Sequence, residues 1–212
     1  MSGLAETISE LRNSSVKHKV ESRLKEFESF AKKETDEWFS ELCFCILTAN
    51  SKAVTALNIQ QELTSKGFCG YCQKDLSETI KRNKHRFHNN KAKFIVDARC
   101  HVDIKDKIRR IITEMGEFEA REWLVKNIKG LGYKEASHFL RNVGYKNFAI
   151  LDRHIISLMR ENGVIKESPK NLSKKKYLEL EKKFNKLAAQ LNMSPAELDL
   201  YMWYMKTGEV LK

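Results

Sequence analysis

The sequence predicts an all-α fold. Prolines are scarce, with only Pro169 and Pro195 in 212 residues. Apolar residues recur at helical spacing over long stretches, without sustained period-two alternation. Rough helices fall near 4–12, 16–32, 36–48, 52–65, 75–83, 90–101, 104–114, 118–127, 133–143, 152–161, 173–190 and 195–206. Trp38, Phe39, Leu42 and Ile46 make an apolar stripe suited to a buried face. The last helix has a clear start: Ser194 as N-cap, Pro195 at the first helical position and Glu197 placed to close a capping box.

Hydrophobic residues make up 42% of the chain and charged residues 32%, a balance that supports a core and a solvated surface rather than disorder. The net charge of +11 has two readings. One is a polyanionic partner; the other is the Lys- and Glu-rich surface of a basic or thermophilic proteome. Two basic runs lack acids: residues 81–93, with six Lys or Arg, and residues 170–176, with four Lys. Cys43 and Cys45 lie in an apolar stretch and read as core. Cys69 and Cys72 form a lone CxxC, and no second pair completes a zinc ribbon or an iron–sulfur loop. Reduced thiols and no metal are expected. No apolar run approaches the ~18 residues that span a membrane, and the N-terminus resembles no leader.

Residues 126–144, KNIKGLGYKEASHFLRNVG, are the most informative stretch. A helix ends near Asn127, the chain turns through Ile128-Lys129-Gly130-Leu131-Gly132, and a second helix starts near Tyr133. The two glycines allow a tight turn and close approach of another molecule. The first N–H groups of the new helix lack internal partners and point outward at the positive end of its dipole, which makes a phosphate site. Ile128 and Leu131 anchor the turn, and Ala136 supplies a small residue on the second helix. This is the helix-hairpin-helix pattern, with Lys129 where proline is usual. A plain helical linker with glycine caps fits the same residues. Such hairpins read the backbone, so Lys129, Gly130 and Gly132 imply no sequence specificity.

Lys134 sits in the first turn of that second helix, where an acid would be the stabilising choice. An amine there can serve as a nucleophile. Eighteen residues on, Ile150-Leu151-Asp152-Arg153-His154 places Asp152 before a helix, as an N-cap whose carboxylate projects from the helix start. A ten-residue helix and a loop can return the chain so that Asp152 lies near Lys134. Singly, each reads as a surface lysine and a cap; the pair points to chemistry.

Gly130-Leu131-Gly132-Tyr133-Lys134 followed by Asp152-x-His154 resembles the signature of the helix-hairpin-helix glycosylase superfamily. The lysine marks its bifunctional branch. The blocks EWFSELCFCILTAN, NIKGLGYKEASHFLRNVGY and ELDLYMWYMKTGEVLK are similar to the compact archaeal-type 8-oxoguanine DNA glycosylases. The resemblance implies a bifunctional glycosylase and AP lyase acting on double-stranded DNA that contains oxidised guanine, as a monomer in a prokaryotic cytoplasm. It implies Lys134 as nucleophile, Asp152 as its carboxylate partner and Asn50 as the amide that fills the gap left by a flipped nucleotide. It implies Phe87 and Trp203 as a base sandwich, Lys212 as an end group at the Watson–Crick edge, and His138 as a residue of the same helix face as Lys134. Core packing fits Phe87, Trp203 and His138 as well, and a frayed end fits Lys212. No cofactor is required; the turn carbonyls of the hairpin can hold a monovalent cation. The expected architecture is two helical lobes with the hairpin at the cleft, residues 1–34 with 136–212 and residues 35–135. Two other functions fit the motifs: a glycosylase for another damaged base, and a non-enzymatic DNA-binding module.

Overall fold

The computed structural model describes residues 2–212. Among them every regular element is helical: α1 (Ser2–Arg12), α2 (Val16–Ser29), α3 (Thr35–Thr48), α4 (Ala53–Gly70), α5 (Gln73–Arg82), α6 (His88–Ala98), α7 (Ile104–Met115), α8 (Glu117–Asn127), α9 (Tyr133–Asn142), α10 (Arg153–Glu161), α11 (Lys174–Gln190) and α12 (Pro195–Thr207), with short 3-10 turns at Phe30–Lys32 and Arg99–His101. No helix among the described residues is long and apolar enough to cross a membrane.

The chain forms two compact units. One is Phe30–Val143; the other joins the chain up to Ser29 with Gly144–Lys212. These borders differ from those read from the sequence, 34/35 and 135/136, for a packing reason. Ala136, Phe139 and Leu140 are fully buried, and the Phe139 ring meets Trp38 edge-on at 6.0 Å. Helix α9 is thereby committed along its whole length to α3 and α8. At the other border, the Trp38 indole N–H donates to Phe30 O at 2.9 Å, and Lys105 and Arg109 donate to Lys33 O and Ala31 O.

Helix α3 is the centre of the Phe30–Val143 unit. The apolar stripe read from the sequence understates it, because every residue from Trp38 to Thr48 is buried. A helix that is apolar all round has neighbours on every side, and α4, α6, α7 and α9 all pack on it. Cys43 and Cys45 are core residues, as their apolar surroundings predict. Helix α3 itself brings one charge into this core. Glu41, 1% exposed, accepts hydrogen bonds from Asn142 Nδ2 at 2.6 Å and Gln60 Nε2 at 3.1 Å. Arg141 in turn donates to Asn142 Oδ1 at 2.9 Å. A buried carboxylate is tolerated only with such partners. Helix α4 bends at Thr64, whose φ of 54° is a costly conformation for a β-branched residue. The sequence-predicted helix ends at this bend.

In the second unit, the irregular segment leading to α10 is tied down at its backbone. Ala196 N–H donates to Lys146 O at 3.1 Å, Tyr177 Oη–H to Ala149 O at 3.0 Å, and Ile150 N–H to the buried carboxylate of Asp199 at 3.2 Å. Gly144, at φ +106°, opens this segment where a Cβ would meet Phe27 O at 3.1 Å. Ser194 caps α12 by accepting from Glu197 N–H at 3.1 Å. The reciprocal bond of the expected capping box is not made among the described residues.

Glu41→Ala removes a buried acceptor and takes from the Asn142 amide its bond to Glu41, while Gln60 keeps its bond to Ser40 O. The expected cost is about 3 kcal/mol, read as a lower urea midpoint at unchanged slope. An unchanged midpoint would show that the network contributes nothing.

Candidate active site

The hairpin lies within the Phe30–Val143 unit, and its two glycines do different work. Gly130 takes φ +87°, and a Cβ there would come within 2.6 Å of the Phe94 ring. It is therefore needed both for its left-handed backbone and for close packing. Gly132 is extended, at φ −95° and ψ −173°, a conformation open to any residue. The expectation that both glycines serve the turn holds for Gly130 alone. At Gly132 the missing side chain makes room for Glu135, whose Oε2 would lie 3.1 Å from a Cβ and accepts the Gly132 N–H at 3.1 Å. Ile128 and Leu131 are buried beneath the turn. Lys129 is exposed, with Nζ 3.3 Å from Asp97 Oδ2.

Lys134 follows in the first turn of α9, its side chain 26% exposed and its Nζ 3.0 Å from Glu135 Oε1. Glu135 thus binds the hairpin backbone through one oxygen and the candidate nucleophile through the other. Sequence reasoning missed this residue. The available signal was its place three positions after the cap glycine, where an acid closes back on the cap N–H. One turn further along α9, His138 is 7% exposed and sits edge-on against Phe44, ring centroids 5.5 Å apart.

The basic run 81–93 is only partly a solvent-facing surface. Lys91 is 4% exposed, and its Nζ donates to Ile46 O at 2.6 Å. Burial pushes this amine down to about 8, with Glu135 pulling it up and Lys134 adding to the depression. His85 is 2% exposed, and its Nε2 lies 2.9 Å from Leu47 O. Two basic side chains from one segment thereby satisfy consecutive carbonyls in the last turn of α3, which the helix cannot satisfy itself. The loop that follows carries Asn50 at φ 60°. Asparagine is among the few non-glycine residues that adopt this conformation readily. Phe87, the N-cap residue of α6, is 41% exposed with the Arg86 guanidinium 5.2 Å from its ring centroid. Core packing is excluded for it.

The other unit holds Asp152, Trp203 and Lys212. Asp152 is the N-cap of α10, as the sequence predicts. Its Oδ1 accepts the N–H groups of His154 at 2.8 Å and Ile155 at 2.9 Å, which leaves Oδ2 available. Trp203 on α12 is partly exposed and meets the His154 ring at 5.4 Å, close to perpendicular. Its buried indole N–H has no hydrogen-bond partner among the described residues, an uncommon state for a buried donor. Lys212 is partly exposed beyond the left-handed Gly208 cap of α12.

Known proteins resemble this chain over nearly its whole length. Residues 20–193 match the family model described as 8-oxoguanine DNA glycosylase. The 8-oxoguanine DNA glycosylase/AP lyase of Methanocaldococcus jannaschii is 49% identical over 209 residues, 99% of either chain. The crystal structure of the 8-oxoguanine glycosylase/lyase of that organism in complex with a 15mer DNA containing 8-oxoguanine matches with a TM-score of 0.95 at 48% identity, again over 99% of both chains. The 8-oxoguanine DNA glycosylase of Thermotoga maritima matches with a TM-score of 0.92 at 38% identity, over 100% of this chain and 99% of that one. This chain belongs to the 8-oxoguanine DNA glycosylase family.

The unequal glycines give a direct test. Gly130→Ala is expected to cost about 2–4 kcal/mol, from a left-handed alanine and a clash with Phe94. Gly132→Ala should cost about 1 kcal/mol or less, since only the end of a flexible carboxylate must shift. Urea denaturation of both variants measures the difference, and equal losses would refute the assignment.

Proposed function

We infer that this chain excises 8-oxoguanine from DNA and then cleaves the strand at the resulting abasic site. The observation that carries this reading is a lysine amine in the first helical turn after a backbone-binding hairpin, in a chain 49% identical to a named glycosylase/AP lyase. Lysine supplies what a bifunctional enzyme needs and water does not, a nucleophile that stays covalently attached to the sugar.

In the proposed sequence, the hairpin N–H groups hold the backbone phosphates, and the damaged nucleotide leaves the duplex for a protein pocket. Asn50 fills the space it vacates. Phe87 and Trp203 stack on the base, each contact contributing ~1–3 kcal/mol, and Lys212 meets its Watson–Crick edge. The Lys134 ammonium gives a proton to the Glu135 carboxylate it pairs with, and the neutral amine attacks C1′. The glycosidic bond breaks, with its electron pair going to the base. Opening of the sugar ring and loss of a proton from the amine give a Schiff base. Removal of a C2′ proton then expels the 3′ phosphate by β-elimination. Asp152 steadies the positive charge that develops on the sugar. His138 supports α9 through Phe44 rather than by touching the base.

Borohydride added during incubation with an 8-oxoguanine duplex should trap a covalent adduct that Lys134→Gln cannot form. An adduct surviving in that variant would sink the mechanism. Asp152→Asn keeps an equally good helix cap, so its fold should persist while excision falls about 10²–10³-fold. Preference for an oxidised pyrimidine over 8-oxoguanine in a panel of lesion duplexes would overturn the substrate assignment.

A further inference from the structure

We propose that His85 is a positioning residue that joins the base-stacking ring of Phe87 to the Asn50 turn. This rests on the reading of Phe87 and Asn50 as the groups that face and replace the flipped base.

The geometry comes from one buried imidazole with two engaged nitrogens. Nε2 lies 2.9 Å from Leu47 O, a carbonyl that can only accept. Nδ1 lies 3.2 Å from the backbone N–H of Phe87, which can only donate. One protonation state satisfies both partners, the neutral ring with its hydrogen on Nε2. His85 then donates to the end of α3, three residues before Asn50, and accepts from Phe87 itself. Its ring also touches Phe87 edge-on, with centroids 6.5 Å apart.

The backbone on both sides explains why such a tie is useful. Asn50 and Lys84 are both held at positive φ, 60° and 62°. Each costs on the order of 1 kcal/mol unless its surroundings impose it. The Phe87 ring is 41% exposed and has no core to hold it. A ring that must stack on an incoming base gains from being fixed before the base arrives, because less freedom is lost on binding. His85 provides that fixation through the main chain, and it joins two chain segments that must act on the same nucleotide.

The charge state is guarded. Burial holds the imidazole below the ordinary histidine range and outweighs the Leu47 hydrogen bond, and Lys91, His88 and Arg86 all oppose a positive charge there. If the ring were protonated, Nδ1–H would point at the Phe87 N–H, donor against donor. The link is intact while His85 is neutral and is lost as pH falls through its depressed pKa.

The wild-type protein can be tested first. In ¹⁵N-labelled protein at neutral pH, the imidazole shifts of His85 should show a protonated Nε2 and a bare Nδ1. The opposite tautomer, or an imidazolium, overturns the proposal whatever the enzyme acts on. The second arm is kinetic. His85→Phe keeps a ring of similar size and removes both hydrogen bonds. Single-turnover release of 8-oxoguanine should fall about tenfold, as weakened base stacking predicts. Strand cleavage at a preformed abasic site, where no base is stacked and only the tie to the Asn50 turn is lost, should fall less, by about two- to threefold. His85→Asn, which returns an acceptor near the Nδ1 position, should recover part of the excision rate. Unchanged excision, or an equal fall in both reactions, overturns the proposal. Wild-type protein that releases no 8-oxoguanine would instead defeat the substrate reading and leave the tautomer result to judge His85.

Discussion

The start of α9 depends on a single carboxylate. Glu135 accepts the Gly132 N–H through Oε2 and holds the Lys134 amine through Oε1. An N-terminal helical turn presents unpaired N–H groups and positive potential, and a bare lysine there is unfavourable. Glu135 offsets both, because it sits where an acid is favoured and pairs with the cation beside it. Hairpin geometry and amine position are therefore coupled. The glycine at 132 follows from the same contact, since a side chain there would crowd the carboxylate.

A second constraint acts at the end of α3. This helix is buried along most of its length, so its last carbonyls cannot turn to bulk water. Lys91 and His85 reach in from the basic segment and satisfy Ile46 O and Leu47 O. The Lys91 cation suits this position, because the C-terminal end of a helix carries the negative pole of its dipole, while neutral His85 serves as a hydrogen-bond donor. Part of the chain's excess positive charge is thus committed to the interior. The surface available to a polyanion is smaller than a count of lysines and arginines suggests.

The two carboxylate oxygens of Asp152 are used unequally in the fold. One oxygen carries the capping bonds to His154 and Ile155, and the other makes no hydrogen bond among the described residues. The segment before it is fixed by Asp199 and by Tyr177, whose bonds go to backbone atoms two or three residues upstream. Tethered backbone of this kind holds the carboxylate rigidly, as the role proposed for it would require.

Much of this was legible in local sequence. Helical periodicity located the twelve α-helices of the described residues to within a few positions. The hairpin, its anchors Ile128 and Leu131, the Asp152 cap and the core cysteines each follow from chemistry within a few residues along the chain. What stayed hidden depends on contacts between distant segments. No local pattern distinguishes buried Lys91 and His85 from their exposed neighbours, because the carbonyls they serve lie about 40 residues earlier. The same holds for Glu41, whose partners are Gln60 and Asn142, and for the unit border, set by where Phe139 packs. Local sequence determines which backbone groups lack partners; only the folded chain decides which side chains, arriving from elsewhere, come close enough to supply them.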